Sequence, residues 1–445
     1  MSNDGSRGKV EANTARPVEP LHSGHPAIAE RLPAGSHTPV MSTTSSLHRR
    51  QSQTRRGGGE AGGCVLLTGA EYTGGLAALR GLHRAGYRTW VATTDPHSYG
   101  ALSRAAAGVI PILDPRVDPD GFAHGLAAAA TRIGATVVLP GTEAGLLALA
   151  DRRNLFPAGV AVGAPETALV AAACDKSLLD SHARSAGFLV PPTAAVTLSD
   201  LDDGDGGVRF PAVVKPLRSE MTRDGRLERI EVARVAGLDE LVTALRDLPG
   251  QAGLVQPYLH GRIRTVNGVA WEGRVVTTVH KRAERTWPRD CGVVCFATTV
   301  ARDPALDEAA RALMANLRWS GLFNIQLIES ASGPLLIDLN PRVYHSLALA
   351  IAAGPNLPAI WVDLLLGRTP AVVDYELGRT FRAEDDIYAV LSARDRGVGS
   401  AVSELRPRRG TTHAVLDRHD PRPTQALVGR VVSGLRRKIA DRRHG

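Results

Sequence analysis

The sequence predicts a multidomain protein of the α/β and α+β classes, and three observations point there. Its 445 residues suffice for about three compact units at the usual domain size. A hydrophobic fraction of 43% with 22% charged residues belongs to chains that fill sizeable cores, which excludes a wholly disordered or fibrous chain. Short apolar runs alternate with helical periods in the first third, and strand-like runs crowd the middle.

The formal net charge of +8 is concentrated at the two ends. Residues 1–60 and 429–445 carry the whole excess, and 61–428 are neutral. A nucleic-acid binder shows a basic footprint across its folded body, so no nucleic-acid partner is expected. Four cysteines (Cys64, Cys174, Cys291, Cys295) are too few and too scattered for a disulfide framework. Cys291 and Cys295 lack the paired Cys or His that completes a zinc site. The richest apolar stretch, 347–366, is broken by Gly354-Pro355-Asn356, Pro358 and Asp363, so it reads as core and no membrane partner is expected. No apolar signal core opens the chain, and a cytoplasmic location follows as the expectation.

Residues 1–60, rich in Ser, Thr, Gly, Pro and Arg, read as a disordered tail. From Cys64 the text changes. Cys64-Val-Leu-Leu-Thr68, Tyr87–Ala92, Val109–Leu113 and Thr136–Pro140 read as buried strands with helices between them. Strands and helices alternating at this spacing mean a parallel sheet, hence a Rossmann-like domain over 61–167. Its first loop, Gly69-Ala-Glu-Tyr-Thr-Gly74-Gly75, has the wrong spacing for a dinucleotide fingerprint.

From about Ala168 the pattern changes again. A helix falls around Asp175-Lys176, strands at Phe210–Pro216 and Ile230–Val235, a helix at Asp239–Leu248, and a strand at Gly253–Leu259. Several β-runs fill 262–300, a helix spans Pro304–Leu317, and a hairpin joins Leu322–Glu329 to Pro334–Asn340. The last stretch is polar and mixed, closing in a basic helix with Val431, Val432, Leu435 and Ile439 on one side.

The hairpin carries the chemistry. Strand alternation puts Leu335, Ile337 and Leu339 on one face, with Leu336, Asp338 and Asn340 on the other. With Ala331–Gly333 as a three-residue loop, Gln326 falls opposite Asp338. Gln326, Asp338 and Asn340 then converge as an oxygen-only set, which suits Mg²⁺ that keeps waters and shares phosphates. A polar strand end closing at Asn340-Pro341 explains the same residues without a metal, and spacing alone leaves both readings open.

Only five of the 53 basic residues are lysines, at positions 9, 176, 215, 281 and 438. Together with Asp175-Lys176, Val213-Val-Lys215-Pro216, Val255-Gln256-Pro257-Tyr-Leu259-x-Gly261, Asn324-x-Gln326 and Asp338-Leu-Asn340-Pro-Arg342, in that order, the chain resembles the ATP-grasp superfamily over about 64–370. The resemblance implies a two-lobed ATP-grasp domain after the Rossmann-like one, with a small lobe at 168–255, a large lobe at 256–370 and an extension at 371–445. It implies Lys176 and Lys215 on the phosphates of ATP, and Gln256, Pro257 and Leu259 at the adenine edge. Gln326, Asp338 and Asn340 would hold Mg²⁺, or Mn²⁺, and Arg342 would touch the phosphates or an acyl phosphate. Arg285 is a second catalytic candidate and Lys281 a weaker third; surface placement fits both equally.

Two departures stand out. The segment after Lys215 carries one glycine where the family has several, so Arg218, Ser219, Thr222 or backbone groups must cover the phosphates. No acidic residue follows the adenine hinge; Arg262 stands there. The implied activity is ATP-dependent joining of a carboxylate to an amine through an acyl phosphate, with small-molecule substrates and room for a homo-oligomer. The general look resembles stand-alone carboxylate–amine ligases that include D-aspartate ligase. Its substrate pocket is expected between Glu71–Thr73, Thr142-Glu143 and the 340–342 turn. A nucleotide-binding protein without turnover is the alternative, motivated by the glycine-poor loop.

Overall fold

The computed structural model describes residues 62–429, except 203, 205, 224–225, 290, 393–402 and 407–409. The expected N-terminal tail and the basic C-terminal helix lie outside those residues. By its contacts the chain divides at Gly59/Glu60, and everything described falls in the second unit.

The first sheet is wholly parallel. Its strands β1 (Cys64–Thr68), β2 (Arg88–Thr93), β3 (Gly108–Pro111), β4 (Val137–Leu139) and β5 (Ala161–Val162) lie in the order β3-β2-β1-β4-β5. Helices α1 (Thr73–Arg84), α2 (Tyr99–Leu102), α3 (Pro119–Ile133) and α4 (Glu143–Ala150) connect them. Central β1 is covered on both faces, which is why Val65, Leu66 and Leu67 form an unbroken, fully buried apolar run. The Gly74-Gly75 pair has a packing reason. A Cβ at Gly75 would sit 2.1 Å from Gly69 O, and one at Gly74 would sit 2.5 Å from Tyr344 O.

Helices α5 (Thr167–Cys174) and α6 (Lys176–Ser185) follow, where one helix was expected. Asp175 breaks them apart: its Oδ1 accepts from Ser177 N at 2.9 Å, capping α6 and placing Lys176 at its first position. A second sheet is antiparallel and four-stranded, in the order β10-β7-β11-β6. Its members are β6 (Ala194–Thr197), β7 (Ala212–Lys215), β10 (Ala233–Val235) and β11 (Ala252–Pro257), with α7 (Leu238–Arg246) packed on it. Between β7 and β10 the chain makes a separate hairpin of β8 (Glu220–Arg223) and β9 (Arg226–Arg229). The strand expected at 230–235 shortens to Ala233–Val235, because Ile230 N donates to Ser219 O at 2.9 Å and so closes the β8–β9 hairpin instead of joining the sheet.

A seven-stranded sheet completes the body, in the order β16-β15-β12-β13-β14-β17-β18. It contains β12 (Arg262–Trp271), β13 (Arg274–Trp287), β14 (Val293–Thr299), β15 (Gly321–Ser330), β16 (Gly333–Asn340), β17 (Thr380–Arg382) and β18 (Thr412–His413). Helix α8 (Pro304–Asn316) packs on β12 and β13. The apolar run after the sheet forms α9 (Leu347–Ala353) and α10 (Leu357–Leu365), bent by 90° at the Gly354-Pro355-Asn356 break and packed on α1. No single helix among the described residues is long and apolar enough to cross a membrane. A last short helix, α11 (Asp386–Leu391), lies against β13 and β14.

The β8–β9 hairpin is fastened to the first sheet's side of the molecule. Arg116 Nη2 and Nε donate to the two oxygens of Glu220 at 2.8 and 3.0 Å, and Leu227 N donates to Arg116 O at 2.9 Å. Glu220 is 3% exposed, so its charge depends on that fork. Truncation in Arg116→Ala leaves a buried, unpaired carboxylate and is expected to cost about 3 kcal/mol. Denaturant unfolding should register the loss, and the Leu227 amide should lose protection in hydrogen exchange.

Candidate active site at the end of the β15–β16 hairpin

The expected pairing of Gln326 with Asp338 is present, and Asn324 pairs with Asn340. The route to it differs from the expectation. Ser330 pairs with Gly333, so the loop is two residues, and the register shifts by one between Gln326 and Leu327. One extra residue on β16, Ile337, makes up the difference as a β-bulge. The bulge also breaks alternation: Leu336 and Leu339, three apart, both enter the core. Leu336 is thereby withdrawn from the face it was expected to share with Asp338.

The pairing continues across the sheet. One row reads Asp338, Gln326, Thr265, Lys281, and the next reads Asn340, Asn324, Asn267, Val279. Directly paired residues share a face, so these side chains form a polar field on one side of the sheet. Its amides are chained. Asn267 Nδ2 donates to Thr265 Oγ1 at 2.8 Å and to Val279 O at 3.1 Å. Asn324 Nδ2 donates to Asn267 Oδ1, and Gln326 Nε2 donates to Asn324 Oδ1 at 3.2 Å. Asn340 Nδ2 donates to Asp338 Oδ2 at 2.9 Å. Asn267 and Thr265 anchor this field, and sequence reasoning missed both. Their signal, alternate polar residues inside an apolar strand, resembles any half-exposed strand.

Three cations surround Asp338. Lys176, at the start of α6, forms an ion pair with its Oδ1. Lys215, at the end of β7, donates to the carbonyl of the bulge residue Ile337 at 2.7 Å. Arg342 Nη2 donates to Asn340 Oδ1 at 2.8 Å, while its Nε lies 3.4 Å from Glu143 Oε2. Burial pushes the Asp338 carboxyl up, but Lys176, Lys215 and Arg342 outweigh it and hold the group below its usual value. Burial drives the Lys215 ammonium down to about 8, against the pull of Asp338. Nearby Cys174 is no activated nucleophile, since burial and then Glu143 push its thiol upward.

Gln256, Pro257 and Leu259 lie where β11 leaves the four-stranded sheet and the chain crosses to β12 in the seven-stranded one. Gln256 Nε2 donates to Thr193 Oγ1 at 2.7 Å, a partner the sequence did not suggest. Arg218 reaches Asp175 Oδ2 at 3.2 Å, beside Lys176, whereas Thr222 is exposed on β8. Both segments expected to line a substrate pocket touch the turn after β16: Glu143 meets Arg342, and Thr73 Oγ1 lies 2.7 Å from His345 Nδ1. Surface placement holds for neither extra cation. Arg285 is braced by both oxygens of Asp386, at 2.6 and 2.8 Å, and by Glu404 at 3.0 Å, with no described bond to the Asp338 group. Lys281 is 1% exposed.

No group of three His, Cys, Asp or Glu positioned for a metal occurs among the described residues, so no all-protein cage is on offer. Gln326, Asp338 and Asn340 supply amide and carboxylate oxygens with a single formal charge. That set fits a hard cation sharing its coordination with phosphate oxygens.

Residues 250–386 match the family described as "ATP-grasp in the biosynthetic pathway with Ter operon". No match is found among curated proteins. The L-amino acid ligase from Bacillus licheniformis is similar in structure at 15% identity and a TM-score of 0.51, over 68% of this chain and 74% of that one. The N5-carboxyaminoimidazole synthetase from Staphylococcus aureus complexed with ADP is similar at 13% identity and 0.54, over 72% and 81%. The biotin carboxylase domain of the Hydrogenobacter thermophilus 2-oxoglutarate carboxylase, in complex with MgADP, is similar at 14% identity and 0.52, over 71% and 73%. At such identities the likeness shows the fold alone: the chain has the fold of these structures, and within it residues 250–386 match an ATP-grasp family.

Replacing Lys176 by Met removes the direct partner of Asp338 and leaves only Lys215 and Arg342 to oppose burial. The Asp338 carboxyl should then titrate higher than in the wild type. Carbon-13 NMR of labelled aspartate reads this directly, and an unmoved titration would refute the pairing. The sign also bears on stability. A carboxyl held low stabilises the fold above its ordinary pKa and loses that contribution as pH falls.

Proposed function

We propose that the protein is an ATP-dependent ligase that joins a small-molecule carboxylate to an amine. The observation that carries this reading is the convergence of Lys176, Lys215 and Arg342 on one carboxylate at the end of the β15–β16 hairpin. Without a ligand the group carries more positive than negative charge, as a seat for a polyphosphate should.

In this reading the substrate carboxylate attacks the γ-phosphorus and ADP departs. The amine nitrogen then attacks the acyl carbon, phosphate leaves, and the amine gives up a proton. Lys176 and Lys215 hold phosphate oxygens, and for that Lys176 must release Asp338. Gln326, Asp338 and Asn340 would hold Mg²⁺, or Mn²⁺; the ion would offset charge on the transferring phosphoryl group. Gln256, the carbonyl of Pro257 and the N–H of Leu259 take the adenine edge. Arg342 takes the acyl phosphate. The ion pairs of Arg285 give it a bracing role, so the chemistry rests on Arg342.

The parallel sheet is read as the Rossmann-like domain over 61–167, followed by lobes at 168–255 and 256–370 and an extension from 371. The β8–β9 hairpin takes the place of a glycine-rich flap, with Arg218 supplying charge over the phosphates. Both substrates are small molecules, and the resemblance to stand-alone carboxylate–amine ligases that include D-aspartate ligase makes amino acids the first to screen.

Asp338→Ala combined with Asn340→Ala should abolish Mg·ATP binding and ADP release, assayed over pairs of amino acids and carboxylic acids. Survival of both properties would overturn the assignment. Nucleotide binding should also be coupled to protons. Phosphate next to Lys215 raises its pKa back from about 8 towards 10.5, so binding takes up a proton as pH rises through about 8, and affinity falls there. Titration calorimetry in buffers of different ionisation enthalpy should record that uptake in the wild type and not in Lys215→Met.

A further inference from the structure

The ligase chemistry leaves one polar cluster unused. Lys281 sits in the Asp338–Gln326–Thr265 row, three strands from Asp338, and is 1% exposed. Its ammonium donates to Ser346 Oγ at 2.7 Å and lies 3.4 Å from Ser346 O and 4.6 Å from the Tyr344 ring centre. Among the described residues no carboxylate pairs with it, and burial alone sets its titration, well below the ordinary lysine value. Tyr344 is likewise buried, and its hydroxyl has no hydrogen-bond partner. His345, next in the chain, adds no charge: burial, then Lys281, drives its pKa to about 4, and its Nδ1 is engaged with Thr73.

Lys281 thus lies against the Tyr344 ring with only Ser346 oxygens to accept from it, and the Tyr344 hydroxyl has no acceptor. Buried polar groups without partners are costly, and what both lack is an acceptor with negative charge. We infer that Lys281 and Tyr344 seat a second, non-reacting carboxylate of a substrate, which takes the place of the Ser346 oxygens. Three strand spacings separate Lys281 from Asp338, about 14 Å. A phosphate held at Asp338 does not reach that far, but the distal end of a substrate lying along the 342–346 turn does. The inference rests on the ligase reading and narrows it: one substrate is a dicarboxylate, or an amino acid joined at one end and held by a carboxylate at the other.

The test is calorimetric binding to the full chain with Mg·ADP present, using pairs matched in carbon number: succinate against butyrate, and aspartate against 2-aminobutyrate. The two-carboxylate member of at least one pair should bind about tenfold tighter or more. Lys281→Met and Tyr344→Phe should each erase most of that preference. Tyr344→Phe should also raise the thermal midpoint, because it removes an unpartnered buried hydroxyl while keeping the bulk. Tyr344→Phe removes a single oxygen and guards against misfolding of the lysine variant. No preference in the wild type, or a preference unchanged in both variants, overturns the seat. ADP release with some acid–amine pair alongside either result would leave the ligase reading standing. A selective seat with no ADP release from any pair would sink the ligase reading alone.

Discussion

A single carboxylate, Asp338, holds this site together. Lys176 arrives from a helix before the four-stranded sheet, Lys215 from that sheet, and Arg342 from the turn after β16. Each would repel the others in a dry environment; around one anion they tolerate one another. The position of that anion depends on a one-residue irregularity. Without the bulge at Ile337, the two-residue loop would set Gln326 opposite Ile337. Asp338 would then turn away from the amide rows that orient it. The bulge also frees the carbonyl that Lys215 binds, so one distortion places the anion and anchors a cation.

Much of this was legible in the sequence because it is local. Asn324, Gln326, Asp338 and Asn340 lie on adjacent strands joined by a short loop, and period-two alternation is enough to bring them together. The scarcity of lysine helped, since two of the five meet near Asp338. The bulge was not legible, because a loop one residue longer produces the same pairing and only the burial of Leu336 separates the two. The split of the helix at Asp175 and the extra hairpin after Lys215 escaped for a related reason. Each is decided by a hydrogen bond or pairing with residues that look ordinary in a string. The withdrawal of Lys281 and Arg285 from solvent could not be read at all, since a charged residue in a strand is normally a surface residue.

The field behind the charges has its own logic. Asn267 and Asn324 are almost fully buried, yet they bond to one another and onward to Thr265 and the Val279 carbonyl. A satisfied amide chain of this kind is rigid, because turning one member leaves its neighbours without partners. It gives the half-buried ends, Gln326 and Asn340, fixed orientations before any ligand arrives, which reduces the ordering left for binding.

The fork between Arg116 and Glu220 joins the connection after β3 to strand β8, about a hundred positions further along the chain. It makes the stretch 168–255 less portable than its continuity in sequence suggests. A chimera that grafts 168–255 onto another N-terminal sheet would carry Glu220 into a setting without its arginine, and drift that alters either residue must be answered by the other. Lineages of this protein should therefore exchange the two segments together or not at all.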